Sequence, residues 1–383
     1  MFLLILLGML SAFGPFVTDM YLPSLPAMAD YFSASLPMVQ MGLTTSMIGL
    51  ALGQIFFGPL SDKYGRRPLL LVSMLLFIVS TLFCLFAPDI YSFVTLRLIQ
   101  GIAGAGGIVI SRSVAIDKFS GKELAKMLAV IGAINGVAPV AAPVIGGLLT
   151  GSVGWQGIFM ILLFIGILLG IGCIRFKESL PAEKRSKTGV WATFRSFGII
   201  VHNRRYMLYV FQLAFAQGIL FAYIASSPFI IQQHYGFSPF AFSICFAVNA
   251  VAIGVAAALS VKFRRTENGT LTGCVGMLVF AVLQMAALYS GCGFWTYELL
   301  MFALLFMMGL TFTASTTLAM DCERRYAGAA SALLGALCFA SGGIVSPLVG
   351  LGDILISTGV TFVICAVCSL LCALWAVKRT GPK

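Results

Sequence analysis

The sequence predicts an all-α membrane protein of twelve transmembrane helices arranged as two six-helix pseudo-repeats. Three observations lead there. Of 383 residues, 60% are hydrophobic and only 10% charged, a balance that excludes an ordinary soluble core and reads as spans of about 20 residues each. Charges and Gly/Pro turns interrupt the apolar runs at regular intervals. The cations, finally, fall on alternate connections only.

The runs place spans at roughly 2–22, 41–59, 69–87, 91–112, 124–150 and 156–175, then at 205–232, 239–261, 269–289, 295–319, 327–350 and 357–377. The first run has no basic region before it and continues past any plausible cleavage site. It is therefore expected to be a span and not a signal peptide.

The formal charge of +11 is topological. Lys63, Arg66 and Arg67 follow span two, and Lys118, Lys122 and Lys126 follow span four. Arg175, Lys177, Lys184, Arg185, Lys187, Arg195, Arg204 and Arg205 surround the central connection. Lys262, Arg264 and Arg265 follow span eight, Arg324 and Arg325 follow span ten, and Lys378, Arg379 and Lys383 follow span twelve. The odd-numbered connections carry Asp30, Asp89 and Asp353 with no Lys or Arg. Cytoplasmic loops are enriched in Lys and Arg, so both termini are expected in the cytoplasm. The basic excess does not point to nucleic acid.

The ten cysteines are scattered through the spans, with Cys292 alone in an external connection. They are expected as small packing residues, not a disulfide framework. Only His202 and His234 exist, both in connections, and no nucleophile–base or metal-ligand spacing appears. Neither an enzyme nor a cofactor or metal is expected.

The polar stretch from Phe176 to Asn203 divides an N-terminal half, 1–175, from a C-terminal half, 205–383, with 176–204 as a cytoplasmic linker. Similarity recurs at an offset near 200 residues. Leu60-Ser61-Asp62-Lys63-Tyr64-Gly65-Arg66-Arg67 echoes Leu259-Ser260-Val261-Lys262-Phe263-Arg264-Arg265, and Ala142-Pro143-Val144-Ile145-Gly146 echoes Ser346-Pro347-Leu348-Val349-Gly350. Parallel six-span halves of this kind are a transporter architecture with its site near mid-membrane.

Asp19 is the residue that such a chain should not tolerate. A carboxylate at membrane depth costs several kcal/mol unless it faces a cavity or finds a partner. It is a candidate proton or cation site. Span one runs outward and span four inward, so Asp19 and Arg97 are expected at similar depth in the external half. There a carboxylate and a guanidinium can neutralise one another. Attraction would favour the ionised acid and burial the neutral one, and a static ion pair locking two spans is the alternative.

The loop Gly58-Pro-Leu-Ser-Asp-Lys-Tyr-Gly-Arg-Arg-Pro68 is the most specific string. Gly58 and Gly65 would allow close backbone approach and a tight turn. Asp62 would cap or face a helix N-terminus in the other half, or pair with Arg112, and Arg66 and Arg67 would reach carboxylates or lipid phosphates. This string resembles the signature loop of the major facilitator superfamily. Leu96-Arg97-Leu98-Ile99-Gln100-Gly101-Ile102-Ala103-Gly104-Ala105 resembles its span-four motif, whose arginine serves proton coupling. Gly132, Gly136, Ala142, Pro143, Gly146 and Gly147 resemble its antiporter motif, with Ala142 standing where the pattern has glycine.

Asp19-Met-Tyr-Leu-Pro-Ser-Leu-Pro26 and Ala51-Leu-Gly-Gln-Ile55 resemble the Bcr/CflA drug-resistance transporters. The resemblance implies the major facilitator fold and proton-coupled efflux of small lipophilic or amphipathic drugs. It also implies a monomer in a bacterial inner membrane, with drugs, protons and the lipid bilayer as partners. A proton symporter or facilitator for a small metabolite is the alternative.

On this reading Asp19 and Arg97 carry proton coupling. Phe16, Tyr21, Phe215 and Tyr223 would line an aromatic cavity together with Gln54, Gln217 and Asn249, polar residues equally suited to interhelical hydrogen bonds. Gly58, Asp62, Gly65, Arg66, Arg67, Arg112, Gly136, Pro143, Gly146 and Gly147 would serve conformational switching. Glu298 is Arg97's rough counterpart at the 200-residue offset, a coupling candidate with an interfacial residue beside Trp295 and Tyr297 as the alternative.

Overall fold

The computed structural model describes residues 2–185, 197–323 and 327–378, with backbone alone at 184 and at several positions between 121 and 136. Among them helix is the only regular structure, as lipid requires of a backbone that must satisfy itself. The order is α1 (Phe2–Asp19), α2 (Leu25–Tyr31), α3 (Leu36–Tyr64), α4 (Arg66–Leu85), α5 (Ile90–Lys118), α6 (Gly121–Arg175) and a helical turn α7 at 197–201. Then follow α8 (Arg204–Phe229), α9 (Pro239–Ser260), α10 (Thr266–Tyr289), α11 (Phe294–Cys322), α12 (Ala327–Leu348) and α13 (Ile354–Lys378). The cations Lys187, Arg195, Arg324, Arg325, Arg379 and Lys383 lie outside the described residues.

Among the described residues, eleven segments are long and apolar enough to cross a membrane. One of them, Val137–Arg175, has 39 residues, about 58 Å of helix against a hydrocarbon core of about 30 Å. It holds two spans, broken at Gly154, whose φ of 65° is open to glycine but strained for other residues. Counting those two separately restores the twelve expected spans.

The first span differs from expectation. It does not stop at residue 22: a 3-10 turn at Leu22–Ser24 joins α1 to α2, and the apolar segment runs Phe2–Tyr31. Pro23 and Pro26, which read as a loop, sit in the opening turns of those two elements, where a missing N–H breaks no helical bond. Asp19 therefore lies near the middle of its span and not near the external end.

The chain forms two compact units, residues 1–194 and 195–383. In the first, α5 packs on α3, α4 and α1, while α6 packs on α1 and α4. In the second, α11 packs on α9, α10 and α8, while α13 packs on α8 and α10. The neighbour pattern repeats span for span. The closest crossings repeat as well. A Cβ added to Gly101 would collide with the Ser46 carbonyl across α3–α5, and one added to Gly309 would lie 2.5 Å from the Ile253 carbonyl across α9–α11. Small residues at such crossings let helix backbones touch.

Burial is reversed relative to a soluble bundle. Leu75, Phe83, Phe164, Leu299 and Trp375 are exposed, whereas Arg97, Gln100, Gln212, Asn249 and Gln284 are fully buried. An apolar outside and a polar inside is what lipid selects.

Candidate functional site

In the N-terminal half the site is built around Arg97, the largest fully buried side chain. Helix α1 ends at Asp19, so the carbonyls of its last turn lack helical partners. Arg97 Nη2 donates to one of them, Val17 O, at 3.0 Å. Its Nε reaches Gly42 O on α3 at 3.4 Å, and its Nη1 donates to Gln100 Oε1. Gln100 Nε2 in turn donates to Thr81 Oγ1 on α4 at 2.7 Å. One guanidinium thus ties four helices through neutral acceptors. It also lies 4.4 Å from the Tyr21 ring and 5.7 Å from Phe159, within range of cation–π attraction.

The expected ion pair is not formed. Asp19 is buried at 6% exposure and makes no ion pair among the described residues. The donors of Arg97 are directed to carbonyls and an amide because the end of α1 presents its main chain to them. Thr18, beside Asp19, spends its hydroxyl on Gly14 O at 3.0 Å. The carboxylate is thus left without a cation in a buried setting.

An aromatic cluster closes over this centre. Phe159 meets Tyr21 at 5.8 Å, Phe93 at 5.4 Å and Trp155 at 5.9 Å, and Trp155 continues to Tyr31 and Phe32. Phe93, Trp155 and Phe159 were not chosen from the sequence. The i, i+4 spacing of Trp155 and Phe159, which puts them on one helix face, was the available signal.

The Gly58–Pro68 loop is an ionic knot within the same half. Gly65, at φ 101°, ends α3 and lets α4 begin at once. The orphan N–H groups of Arg66 and Arg67 donate to the two oxygens of Glu178 at 3.0 and 3.1 Å, a carboxylate on a helix N-terminus. Arg66 pairs with Asp62 at 2.5 Å and Asp117 at 2.9 Å, and its Nη1 also donates to Ser61 Oγ at 2.7 Å. Arg67 Nη2 donates to Ile174 O at 2.8 Å, near the end of α6.

Two details differ from expectation. The Asp62–Arg112 pair is not formed: Asp62 pairs with Arg66, one turn away, and Arg112 is exposed and makes no ion pair among the described residues. Gly58 meets only Val109 at an ordinary 3.7 Å, so it mediates no close approach. Asp117 and Glu178, absent from the sequence reading, carry the knot.

Pro143, Gly146 and Gly147 are buried on α6, and a Cβ on Gly146 would strike the Met20 carbonyl, one residue past Asp19. Gly132 and Gly136 lie outside the positions whose packing is described. Phe16 borders a shallow apolar hollow of about 330 Å³ with Met9, Ala12 and Ala141. Tyr21 is fully buried beneath Arg97, with its hydroxyl unpartnered, and Gln54 is buried on α3.

In the C-terminal half, Phe215 and Gln217 are half-buried on α8, Gln217 Oε1 having no partner. Tyr223 and Asn249 come together: Asn249 Nδ2 donates to Tyr223 Oη at 3.0 Å and to Glu298 Oε1 at 2.9 Å. Glu298 is thus turned inward to a polar partner, with Trp295 exposed on the turn before it.

Comparison with known proteins agrees with this architecture. The family model described as Major Facilitator Superfamily matches residues 4–347. The chain is 39% identical over 355 residues to an uncharacterised transporter of that type, YdgK of Bacillus subtilis, covering 91% of this chain and 88% of that one. It is 30% identical over 357 residues to a bicyclomycin resistance protein homologue of Haemophilus influenzae, covering 90% and 87%. That relative accords with the Bcr/CflA resemblance of residues 19–26 and 51–55. Among solved structures, a bacterial homologue of the human lysosomal transporter Spinster, inward-facing and unoccupied, superposes with a TM-score of 0.80 at 18% identity, covering 98% and 97%. Twelve spans in two repeated halves, the loop at 58–68 and these matches converge: the chain is a multi-pass membrane transporter and belongs to the major facilitator superfamily.

Proposed function

We propose that this transporter exports small lipophilic or amphipathic drugs in exchange for protons by alternating access. It would act in a bacterial inner membrane with both termini in the cytoplasm. The observation that carries the reading is Asp19, a carboxylate buried near the middle of a span with no cationic partner among the described residues. An unpaired carboxylate bears its desolvation cost whenever it is ionised. Its proton occupancy therefore follows its access to water, which is what coupling to an opening and closing site requires.

Arg97 holds the end of α1 and fixes where Asp19 stands, so its part in coupling is positional. The ionic knot at 58–68 stabilises one conformation of the cycle, and Gly146 lets α6 pass close to the Asp19 turn. The aromatic and polar candidates Phe16, Tyr21, Gln54, Phe215, Gln217, Tyr223 and Asn249 serve as substrate contacts. Relatives named for bicyclomycin and chloramphenicol resistance support drugs as the cargo.

The test uses purified protein in proteoliposomes. An imposed pH gradient should drive drug movement against the proton flow, and drug addition should drive proton movement. Asp19→Asn should lose both while melting and eluting as the wild type does. Undiminished exchange by that variant would overturn the reading, and drug movement in the same direction as the proton would favour symport.

A further inference from the structure

The C-terminal half carries a second carboxylate that the proton step does not use. Glu298 of α11 is half-buried, accepts one hydrogen bond from Asn249 and forms no ion pair among the described residues. Around it, three buried polar atoms have no partner among the described residues: Glu298 Oε2, Asn249 Oδ1 and Tyr297 Oη. Tyr297 adjoins Glu298 in the chain, and Ser227 stands one helical turn beyond Tyr223, whose hydroxyl Asn249 already holds. Asn249, Tyr223, Tyr297 and Ser227 are themselves almost wholly buried.

Buried polar groups are nearly always satisfied, and each exception calls for a cause. Here the exceptions share a chemistry. Glu298 Oε2 and Asn249 Oδ1 accept only, and the Tyr297 hydroxyl oxygen can accept as well. A group that satisfies them must donate several hydrogen bonds and carry positive charge. A protonated primary amine does both, with three N–H donors on one cation. The surroundings suit the rest of such a molecule. Tyr223 stacks on Phe246 at 5.5 Å, and Tyr297 lies 5.6 Å from Tyr235, so ring faces that attract cations and cover apolar groups lie beside the carboxylate. The partial exposure of Glu298 leaves a way in.

We infer that Glu298, Asn249, Tyr223 and Tyr297 form a recognition site for the protonated amine of a lipophilic transported cation. This rests on the reading of the protein as a small-molecule transporter, and it names a substrate class for that reading. Glu298 supplies the charge, Asn249 holds it in place, and the tyrosines wall the apolar body.

The experiment is equilibrium binding to the full-length protein in nanodiscs, with no proton gradient. Dansylcadaverine, a fluorescent primary amine, is compared with its N-acetylated form, which is neutral and of nearly the same shape. The amine should bind the wild type about tenfold more tightly. In Glu298→Gln, which keeps an oxygen for Asn249, that preference should vanish through weaker amine binding, while the acetylated form binds as before and so reports a folded protein. Tyr297→Phe should weaken the amine by a smaller factor. Asp19→Asn should keep the full preference, which separates this site from the proton step.

A wild type that binds both forms equally, or neither, overturns the proposal, as does wild-type amine affinity in Glu298→Gln. In the wild type, absence of the preference with drug/proton exchange intact would remove this site alone. A preserved preference without exchange would remove the antiport reading alone.

Discussion

Arg97 Nη2 lies 3.0 Å from the carbonyl of Val17, two residues short of the carboxylate that the sequence offers as its partner. A cation at the C-terminal end of a helix is favoured by the unpaired carbonyls and by the helix dipole. That neutral arrangement brings Arg97 to within two residues of Asp19 along α1 yet leaves the two unbonded. Removing the charge of Asp19 by protonation therefore breaks no ion pair. A proton can come and go while the helix junction around Arg97 stays intact.

Replacement of Arg97 should accordingly be a stability lesion first. Arg97→Leu leaves Val17 O, Gly42 O and Gln100 Oε1 without their donor. Each buried acceptor so stranded costs about 1–3 kcal/mol. The expected result is a melting temperature lower by several degrees in detergent. Arg97→Lys, a single point charge unable to span three acceptors, should fall between the two. Asp19→Asn should melt as the wild type does, the reverse of what a locked ion pair would give.

Tyr21 separates ring from hydroxyl in the same centre. Its Oη has no partner, whereas its ring lies against Arg97 and Phe159. Tyr21→Phe should change stability by no more than about 0.5 kcal/mol. Tyr21→Ala removes the ring and opens a cavity, a change that typically costs about 3–5 kcal/mol. Thermal melting of the two variants checks this directly, and a large loss in Tyr21→Phe would mean that the hydroxyl bonds after all.

The span count, the repeat and the placing of Asp19 and Arg97 inside apolar helices were legible because hydropathy and charge are set by lipid, residue by residue. What the sequence hid was anything decided by where a main chain ends. The 3-10 turn at Leu22–Ser24 carries the first span to Tyr31 through two prolines that read as a loop. The partner of Arg97 is a carbonyl, which no side-chain pattern can reveal. Glu178 lies more than a hundred residues from the loop it caps, in a linker whose charges read as topology. Glu298 was visible only as an ambiguous interfacial acid, because its meaning comes from Asn249 on another helix.

The cap itself gives a sharp test. Glu178→Ala removes the acceptor of the Arg66 and Arg67 N–H groups, and loss of a helix cap costs about 0.5–2 kcal/mol. Glu178→Gln keeps one carbonyl oxygen and should lose less. Arg66→Ala should be worse than either, since it strands Asp117 beside Ser179 near the negative end of α5. If the knot stabilises one conformation of the cycle, these variants should also shift the accessibility of a single introduced cysteine to a membrane-impermeant thiol reagent. An unchanged labelling rate with a lowered melting temperature would confine the knot to a structural part.

The repeat predicts that equivalent lesions in the two halves behave alike. Gly101 on α5 meets the Ser46 carbonyl of α3, and Gly309 on α11 meets Ile253 and Ala256 of α9. A methyl group at either place has only backbone atoms or the Ala256 Cβ, which cannot rotate away, to push against, and forced overpacking costs about 1–3 kcal/mol. Gly101→Ala and Gly309→Ala should therefore lower the melting temperature by similar amounts. Gly254→Ala, where an added Cβ meets nothing within 4 Å, should be neutral or slightly stabilising because alanine favours helix by about 1 kcal/mol. Both crossings join the span pairs two–four and eight–ten, so a shared transport defect would mean that these contacts move in the cycle. Lost stability with normal transport would mean that each pair travels as one rigid body.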